Sequence, residues 1–406
     1  MCNEPSFYFC QLPYFFYFYN SMSENKKMSR REFIRCCVQY AGIAALSISG
    51  LDVLAGDKKL LPMKPPDDIW KWNTLAHYYT KTEKGVVCGL CPNACLIPLN
   101  GKGICKTRVN FKGDLYAINY GNPCSINSDP IEKKPLYHFL PQTTAFSLAT
   151  AGCNFTCLNC QNWQISQVSP FDTQNYDLFP KDVVAYALKN NCKSIAYTYT
   201  EPVVFYEYVH DTAKLAHEKG LKNLFISNGY INEAPLRKLC KYLDAANINL
   251  KSFKEDTYRK LNGGKLSSIK NSLKIFKEEG VWLEITNLIV PGWTDDADMI
   301  KEMCDWLYDA GFSDCPLHFS RFFPTYKLTQ LPATPIDILN KAHEIALAAG
   351  IKHVYIGNVP GTEYDDTYCP KCKKKIIERK GYTIISNNSK DGKCGFCGER
   401  INGVWK

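Results

Sequence analysis

Three cysteines packed into eight residues constrain this chain more than any other feature. They are Cys153, Cys157 and Cys160, in the run Ala151-Gly-Cys-Asn-Phe-Thr-Cys-Leu-Asn-Cys-Gln-Asn-Trp163. Thiolates are soft ligands and suit iron–sulfur chemistry. A structural zinc site or a disulfide is the plain alternative. Zinc, however, prefers four ligands in two separated pairs, and no fourth ligand lies nearby. Three thiolates can hold three irons of a 4Fe-4S cluster, and the fourth iron then keeps an open position where a ligand can bind.

The rest of the composition agrees with a reduced, metal-rich enzyme. The 406 residues suffice for one large domain with appendages, and a hydrophobic fraction of 45% is ordinary for a globular protein. Of 20 cysteines, 11 fall into three tight groups. Such grouping reads as metal ligation, whereas a disulfide framework belongs to small secreted scaffolds. The net charge of +9 is spread over short Lys/Arg groups with no basic tract. It therefore predicts a solvated surface and no nucleic-acid partner.

Residues 1–56 read as a leader region. An aromatic run from Ser6 to Tyr19 precedes two candidate starts, Met22 and Met28, so 1–27 reads as an upstream extension. Arg30 and Arg31 then stand ahead of a mildly apolar stretch from Val38 to Leu54. Paired arginines in that position are similar to a twin-arginine signal, which exports folded proteins. Gln39, Ser47, Ser49 and Asp52 interrupt the stretch, so no transmembrane span is expected. The alternative is a cytoplasmic enzyme, where low-potential electrons are supplied.

The segment 57–144 opens with a linker rich in Lys, Pro and Asp and carries the second group: Cys88, Cys91, Cys95 and Cys105, with Cys124 as a spare. Gly85, Gly89, Gly101 and Gly103 let the loops fold back so that four thiolates converge. Zinc and an auxiliary iron–sulfur cluster both fit. The third group, in 362–406, is Cys369-Pro-Lys-Cys372 with Cys394-Gly-Phe-Cys397. Two such pairs predict a zinc-ribbon-like module whose folding energy comes largely from its metal.

Between them, 145–361 alternates strand and helix. Strands are expected at Phe146–Ala149, Ser194–Tyr199, Asn223–Ile226, Asn247–Leu250, Trp282–Val290, Leu317–Phe319 and Val354–Ile356. Helical stretches such as Lys181–Lys189, Val204–Lys219, Ser268–Glu279, Met299–Ala310 and Ile336–Ala349 lie between. Repeating βα units imply an α/β fold with a parallel sheet, here a partial (β/α) barrel. Barrel chemistry gathers at the C-terminal strand ends, and the three-cysteine motif follows the first expected strand.

Taken in order, these strings resemble a known family. Cys88–Cys95, Asp129-Pro-Ile-Glu-Lys-Lys-Pro-Leu-Tyr-His-Phe139, Ala151–Trp163, Thr198–Pro202, Ile226–Ile231, Asn247–Phe253, Tyr355–Asn358 and the terminal cysteines are similar to the radical S-adenosylmethionine (radical SAM) enzyme of the AmmeMemoRadiSam system. That family in turn is similar to pyruvate formate-lyase activating enzymes. The resemblance runs from about Val87 to Trp405. It implies S-adenosyl-L-methionine chelated to the open iron through its amine and carboxylate. Electron transfer into the sulfonium would then release methionine and a 5′-deoxyadenosyl radical that abstracts hydrogen. It also implies a low-potential electron donor and a substrate it does not name, a protein being among the open classes. Two positions depart from the pattern: Asn159 stands where an aromatic residue is usual, and Asn249 where Asp often precedes Leu-Lys.

The resemblance also gives the strand-end residues roles. Glu201, in Thr198-Tyr-Thr-Glu-Pro202, would accept from the methionyl ammonium, against the plain reading of an acid at a helix N-terminus. Ser227 and Asn228 suit ribose hydroxyls, and Lys251 the cofactor carboxylate. His318 and Arg321 are expected at the same mouth, facing substrate, with packing the plain reading for the histidine. Two other functions stay open: a glycyl-radical-enzyme activating enzyme, and a non-catalytic iron–sulfur/zinc protein for electron transfer or scaffolding. The last would have no use for an open iron.

Overall fold

The computed structural model of this protein describes residues 69–406. The leader over 1–56, its paired arginines and the linker over 57–68 lie outside the described residues. All described residues fall in one compact unit, Leu60–Lys406.

The centre is an eight-stranded sheet whose strands lie side by side in chain order. They are β1 (Ser125–Pro130), β2 (Thr144–Ala149), β3 (Ser194–Tyr197), β4 (Lys222–Ser227), β5 (Ala245–Asn249), β6 (Trp282–Ile289), β7 (Leu317–Arg321) and β8 (Val354–Gly357). From β2 to β8 every pairing is parallel, while β1 runs antiparallel to β2 and forms one edge. The sequence pattern places the first strand at Phe146; the sheet in fact begins at Ser125, inside the cysteine-rich segment.

Each parallel step needs a crossover, and helices supply it: α1 (Pro180–Lys189), α2 (Tyr206–Glu218), α3 (Glu233–Cys240), α4 (Leu266–Glu278), α5 (Ala297–Asp309) and α6 (Ile336–Ala348). Crossovers between parallel strands are right-handed almost without exception. Repeated between neighbours in chain order, they put every helix on one face, where α1 packs on α2, α3 on α4 and α5 on α6. Strands covered on both faces read as nearly continuous apolar runs, as in the fully buried β3, Ser-Ile-Ala-Tyr.

The inner face is filled at the N-terminal strand ends by the segment 131–140. Ile131, Leu136 and Phe139 pack there against Ala145, Ala196, Leu224 and Ala245. Small residues early in β2, β3 and β5 leave the room. Glu284 of β6, fully buried, anchors this plug by accepting from the Tyr137 and His138 amides at 3.0 and 2.8 Å and bonding His318 Nε2 at 2.7 Å.

Two small three-stranded antiparallel sheets precede the main one: Tyr79–Thr82 with Gly85–Cys88 and Leu96–Ile97, and Thr74–Leu75 with Asp114–Ala117 and Arg108–Phe111. A third, Thr367–Tyr368 with Lys375–Lys380 and Thr383–Asn387, follows it. Among the described residues no helix is long and apolar enough to cross a membrane.

Candidate active site

The loop after β2 carries Cys153, Cys157 and Cys160 to the C-terminal end of the sheet. It is clamped by a backbone pairing with a single π-helical turn, Tyr258–Asn262. The Thr156 and Leu158 amides donate to the Asn262 and Leu261 carbonyls, each at 2.9 Å. The clamp requires glycine beyond the turn. A side chain on Gly264 would meet the Phe155 ring at 2.4 Å, and Gly263 adopts φ +80° against Thr156.

Two nitrogen donors aim at the sulfurs. Asn262 Nδ2 lies 3.3 Å from Cys157 Sγ, and the Phe155 amide lies 3.4 Å from Cys153 Sγ. Such donors stabilise thiolate ligands. Burial pushes the Cys153 thiol well up, with Glu201 and Cys157 adding to it, and burial likewise raises Cys160. Without a metal these two sulfurs hold their protons, so metal loading has to release them.

Glu201 follows β3 and is 3% exposed. Its Oε1 accepts from Ser227 Oγ at 2.6 Å and from the Val203 amide at 3.1 Å, and its Oε2 from the Asn228 amide at 2.8 Å. It therefore caps the 3-10 turn Pro202–Phe205 and also joins the ends of β3 and β4. Burial raises its carboxyl to about 7 against the opposing hydrogen bonds and the charge of Lys251. Lys251, just past β5, also acts on Cys160, and among the described residues it has no salt-bridge partner. Its charge lowers both the Glu201 carboxyl and the Cys160 thiol.

Ser227 and Asn228 reach this end of the sheet, but their polar atoms are engaged. Ser227 Oγ also accepts from the Gly229 amide at 2.9 Å. The Asn228 amide group donates to Asn154 Oδ1 and accepts from the Tyr230 amide, each at 2.8 Å, which ties the cysteine loop to the end of β4. Asn249 Nδ2 donates to the Ser227 carbonyl at 3.3 Å. Arg321, at the end of β7, donates from Nε to the Thr334 carbonyl at 2.8 Å beside the partly exposed Phe323.

His318 does not belong here. It stands early in β7, buried against Glu284, Tyr137 and Tyr355 at the opposite, plugged end. Asn154, Asn262 and Tyr258, whose hydroxyl accepts from the Lys251 amide at 2.9 Å, are site residues that the sequence pattern passes over. Each acts through a contact between segments far apart in the chain, and no local signal marks them.

The C-terminal quartet is a separate site. Cys369, Cys372, Cys394 and Cys397 have all four sulfurs within 4.8 Å of one another, with Cys369–Cys397 at 3.6 Å and Cys372–Cys394 at 3.7 Å. Four sulfurs so close are arranged to share one metal ion.

A largely parallel α/β sheet with three loop cysteines, a buried carboxylate and a lysine at its C-terminal end defines the class: an α/β protein with a cysteine site suited to metal. Comparisons with known proteins agree. The profile of the Radical SAM superfamily matches residues 147–307. Uncharacterized protein MJ0808 of Methanocaldococcus jannaschii is 44% identical over 330 residues, covering 80% of this chain and 98% of its own. This chain belongs to the radical SAM superfamily, and with it to the enzymes. Pyruvate formate-lyase 1-activating enzyme of Escherichia coli (strain K12) is 23% identical over 164 residues, 39% of this chain and 67% of that protein. Among solved structures, a radical SAM methyltransferase from Sphaerobacter thermophilus aligns over 54% of this chain and 67% of its own at 15% identity, TM-score 0.43.

Proposed function

We propose that this protein cleaves S-adenosylmethionine reductively at a 4Fe-4S cluster held by Cys153, Cys157 and Cys160, and abstracts hydrogen from its substrate. The observation that carries the reading is the donor set: three cysteines on one clamped loop, nitrogen donors at two of the sulfurs, and the buried Glu201 carboxyl, on which the charge of Lys251 acts. When bound, the cluster and its cofactor supply a single-electron cleavage that yields the 5′-deoxyadenosyl radical. The residues of this chain hold and orient. Glu201 offers its carboxylate to the methionyl ammonium, and Lys251 its ammonium to the carboxylate. The Ser227–Asn228 turn fixes Glu201 and presents its backbone toward the ribose. Asn262 and the Phe155 amide stabilise the thiolates.

The strings shared with the AmmeMemoRadiSam enzymes support membership of that group. Similarity to the pyruvate formate-lyase activating enzyme keeps a protein glycine α-hydrogen among the candidate targets. At the C-terminal quartet we infer zinc. A Zn–S distance of about 2.3 Å gives tetrahedron edges of about 3.8 Å, close to the 3.6 and 3.7 Å seen. The paired arginines Arg30 and Arg31 support export of the folded, loaded enzyme. Activity confined to the cytoplasmic fraction would overturn that.

Anaerobic incubation with a strong reductant and S-adenosylmethionine tests the function, with 5′-deoxyadenosine as the readout. Wild type is expected to produce it, and Cys153→Ala, Cys157→Ala and Cys160→Ala to abolish it with the sheet still folded, because apolar burial holds the core. Undiminished production by any one of the three overturns the assignment.

A further inference from the structure

The reading above leaves one of the three cysteine groups without a task. Cys88 ends the strand Gly85–Cys88, Cys95 precedes the strand Leu96–Ile97, Cys91 lies in the turn between them, and Cys105 comes from the loop ahead of Arg108–Phe111. The turn is drawn tight by the Cys88 amide donating to the Cys95 carbonyl at 3.0 Å. All four side chains line a single small pocket.

Their spacing separates two kinds of metal site. One zinc ion holds four sulfurs at about 2.3 Å and so brings them about 3.8 Å apart. A four-iron cluster places each thiolate on a different iron, and the cluster itself fills the space between the sulfurs. The C-terminal quartet shows the first arrangement, with every sulfur within 4.8 Å of the others. In the N-terminal quartet no three sulfurs come that close, and the space between them is a cavity. The Cys153, Cys157 and Cys160 set is spread in the same way.

A second observation points into the same cavity. Arg108 borders it and is 1% exposed. Its two terminal nitrogens pair with Glu207 at 2.8 and 2.7 Å, but its Nε has no partner. A buried N–H without an acceptor is costly, and a thiolate or sulfide of a cluster held in this cavity would supply one. Thr107 Oγ1 already lies 3.3 Å from Cys105 Sγ.

The cavity also abuts the loop of the active site. A side chain on Gly152 would strike the Cys105 carbonyl oxygen and the Thr107 methyl, each at 2.5 Å. Asn93 Nδ2 donates to the Asn154 carbonyl at 2.8 Å, and Asn154 itself lines the cavity. Cys153 stands between Gly152 and Asn154, so its two flanking residues both touch the N-terminal cysteine loops.

We propose that Cys88, Cys91, Cys95 and Cys105 hold a second iron–sulfur cluster with a complete thiolate shell, which passes single electrons to the cluster at Cys153, Cys157 and Cys160. The relay rests on the function proposed above; the second cluster does not. Four thiolates leave no open iron, so this cluster binds no S-adenosylmethionine and only stores charge. A reduced low-potential donor protein of the ferredoxin or flavodoxin class loses one electron and the second cluster gains it. The second cluster then returns to its oxidised state as the first is reduced. No bond forms or breaks in either transfer.

The test is anaerobic reconstitution of the full chain with iron and sulfide, followed by metal analysis and Mössbauer and electron paramagnetic resonance spectra. Wild type is expected to hold about eight irons, and the triple variant C153A/C157A/C160A about half of them, with a reduced-state signal that S-adenosylmethionine does not perturb. A wild type with only half that iron, all of it lost in the triple variant, overturns the proposal, as does a triple variant carrying extra zinc in place of iron. The pair C95S/C105S is expected to keep the first cluster, with a signal that S-adenosylmethionine perturbs. If the pair loses all iron while the triple variant keeps its share, the second cluster stands and the function proposed for Cys153, Cys157 and Cys160 fails. For the relay, reduction of the first cluster by a reduced ferredoxin should be at least tenfold slower in the pair than in wild type, and unchanged with dithionite. Equal rates with ferredoxin overturn the relay.

Discussion

Glu201 joins two strand ends and caps a turn, and both tasks need an acceptor. Burial opposes its charge, which is why its carboxyl sits near 7 even with three hydrogen-bond donors around it. An arriving ammonium would offset that cost, so the site favours a cationic ligand over an empty state. Glu201→Gln keeps the shape but loses a charge-assisted hydrogen bond, worth about 1.5–3 kcal/mol. S-adenosylmethionine affinity should fall about tenfold to a hundredfold with the cluster intact. Titration of the perturbed cluster signal measures it, and equal affinities would leave Glu201 only its capping role. At this scale the sequence was legible where chemistry is local. The three cysteines and the acid after β3 announce themselves by type and spacing. The partners that hold them, Asn154, Asn228 and Asn262, are asparagines in ordinary turns until the fold brings distant loops together. His318 shows the reverse error. Its place on a barrel strand is readable, but not its end of that strand, which depends on where β7 begins relative to Glu284.

Among the elements, the parallel strands were readable because burial on both faces leaves unbroken apolar runs. β1 was not, because Ser-Ile-Asn-Ser-Asp-Pro is a half-exposed edge strand with little β signal. α3 was hidden by Pro235, tolerated in the first turn where the missing amide would have no partner anyway. The C-terminal module was recognisable from its cysteines, yet its attachment was not. Arg379, on the strand Lys375–Lys380, inserts against the plug at the N-terminal end of the sheet. It stacks 4.4 Å from the Tyr137 ring and donates to the Tyr137 carbonyl at 3.1 Å, the Asp365 carbonyl at 3.0 Å and Thr367 Oγ1 at 2.7 Å. Arg379→Ala abandons those acceptors and the stacking, so it should destabilise the chain by about 3 kcal/mol. Urea denaturation would show this, and the loss should persist in Arg379→Lys, whose single ammonium cannot reproduce the planar fork. A cost below about 0.5 kcal/mol for either variant would mean that the C-terminal module is merely tethered.

Across the whole molecule the two ends of the sheet divide the work. Both iron–sulfur candidates and Glu201 sit at the C-terminal strand ends, while the plug and the C-terminal module close the N-terminal ends. Two histidines lie in that closure. His138 bonds the Asn402 carbonyl at 2.7 Å and the Tyr355 hydroxyl at 2.6 Å, and its ring lies 4.5 Å from that of His353. Burial lowers His353 to about 4 against the charge of Asp314, with Lys352 and Arg379 adding to the fall, and burial holds His138 well below its usual value. A histidine depressed in the folded state contributes stability above its unfolded value near 6.5, and that contribution is lost as pH falls toward 4, because the unfolded chain takes up the proton first. For His353 alone the range spans about 2.5 pH units, on the order of 3 kcal/mol. Carboxylates titrate in the same window, so the difference between wild type and His353→Gln isolates the histidine. Urea midpoints measured from pH 7 to 4 should fall more steeply for wild type, and the two curves should converge toward pH 4. Parallel curves would show that His353 takes up its proton without opening the joint between the C-terminal module and the sheet.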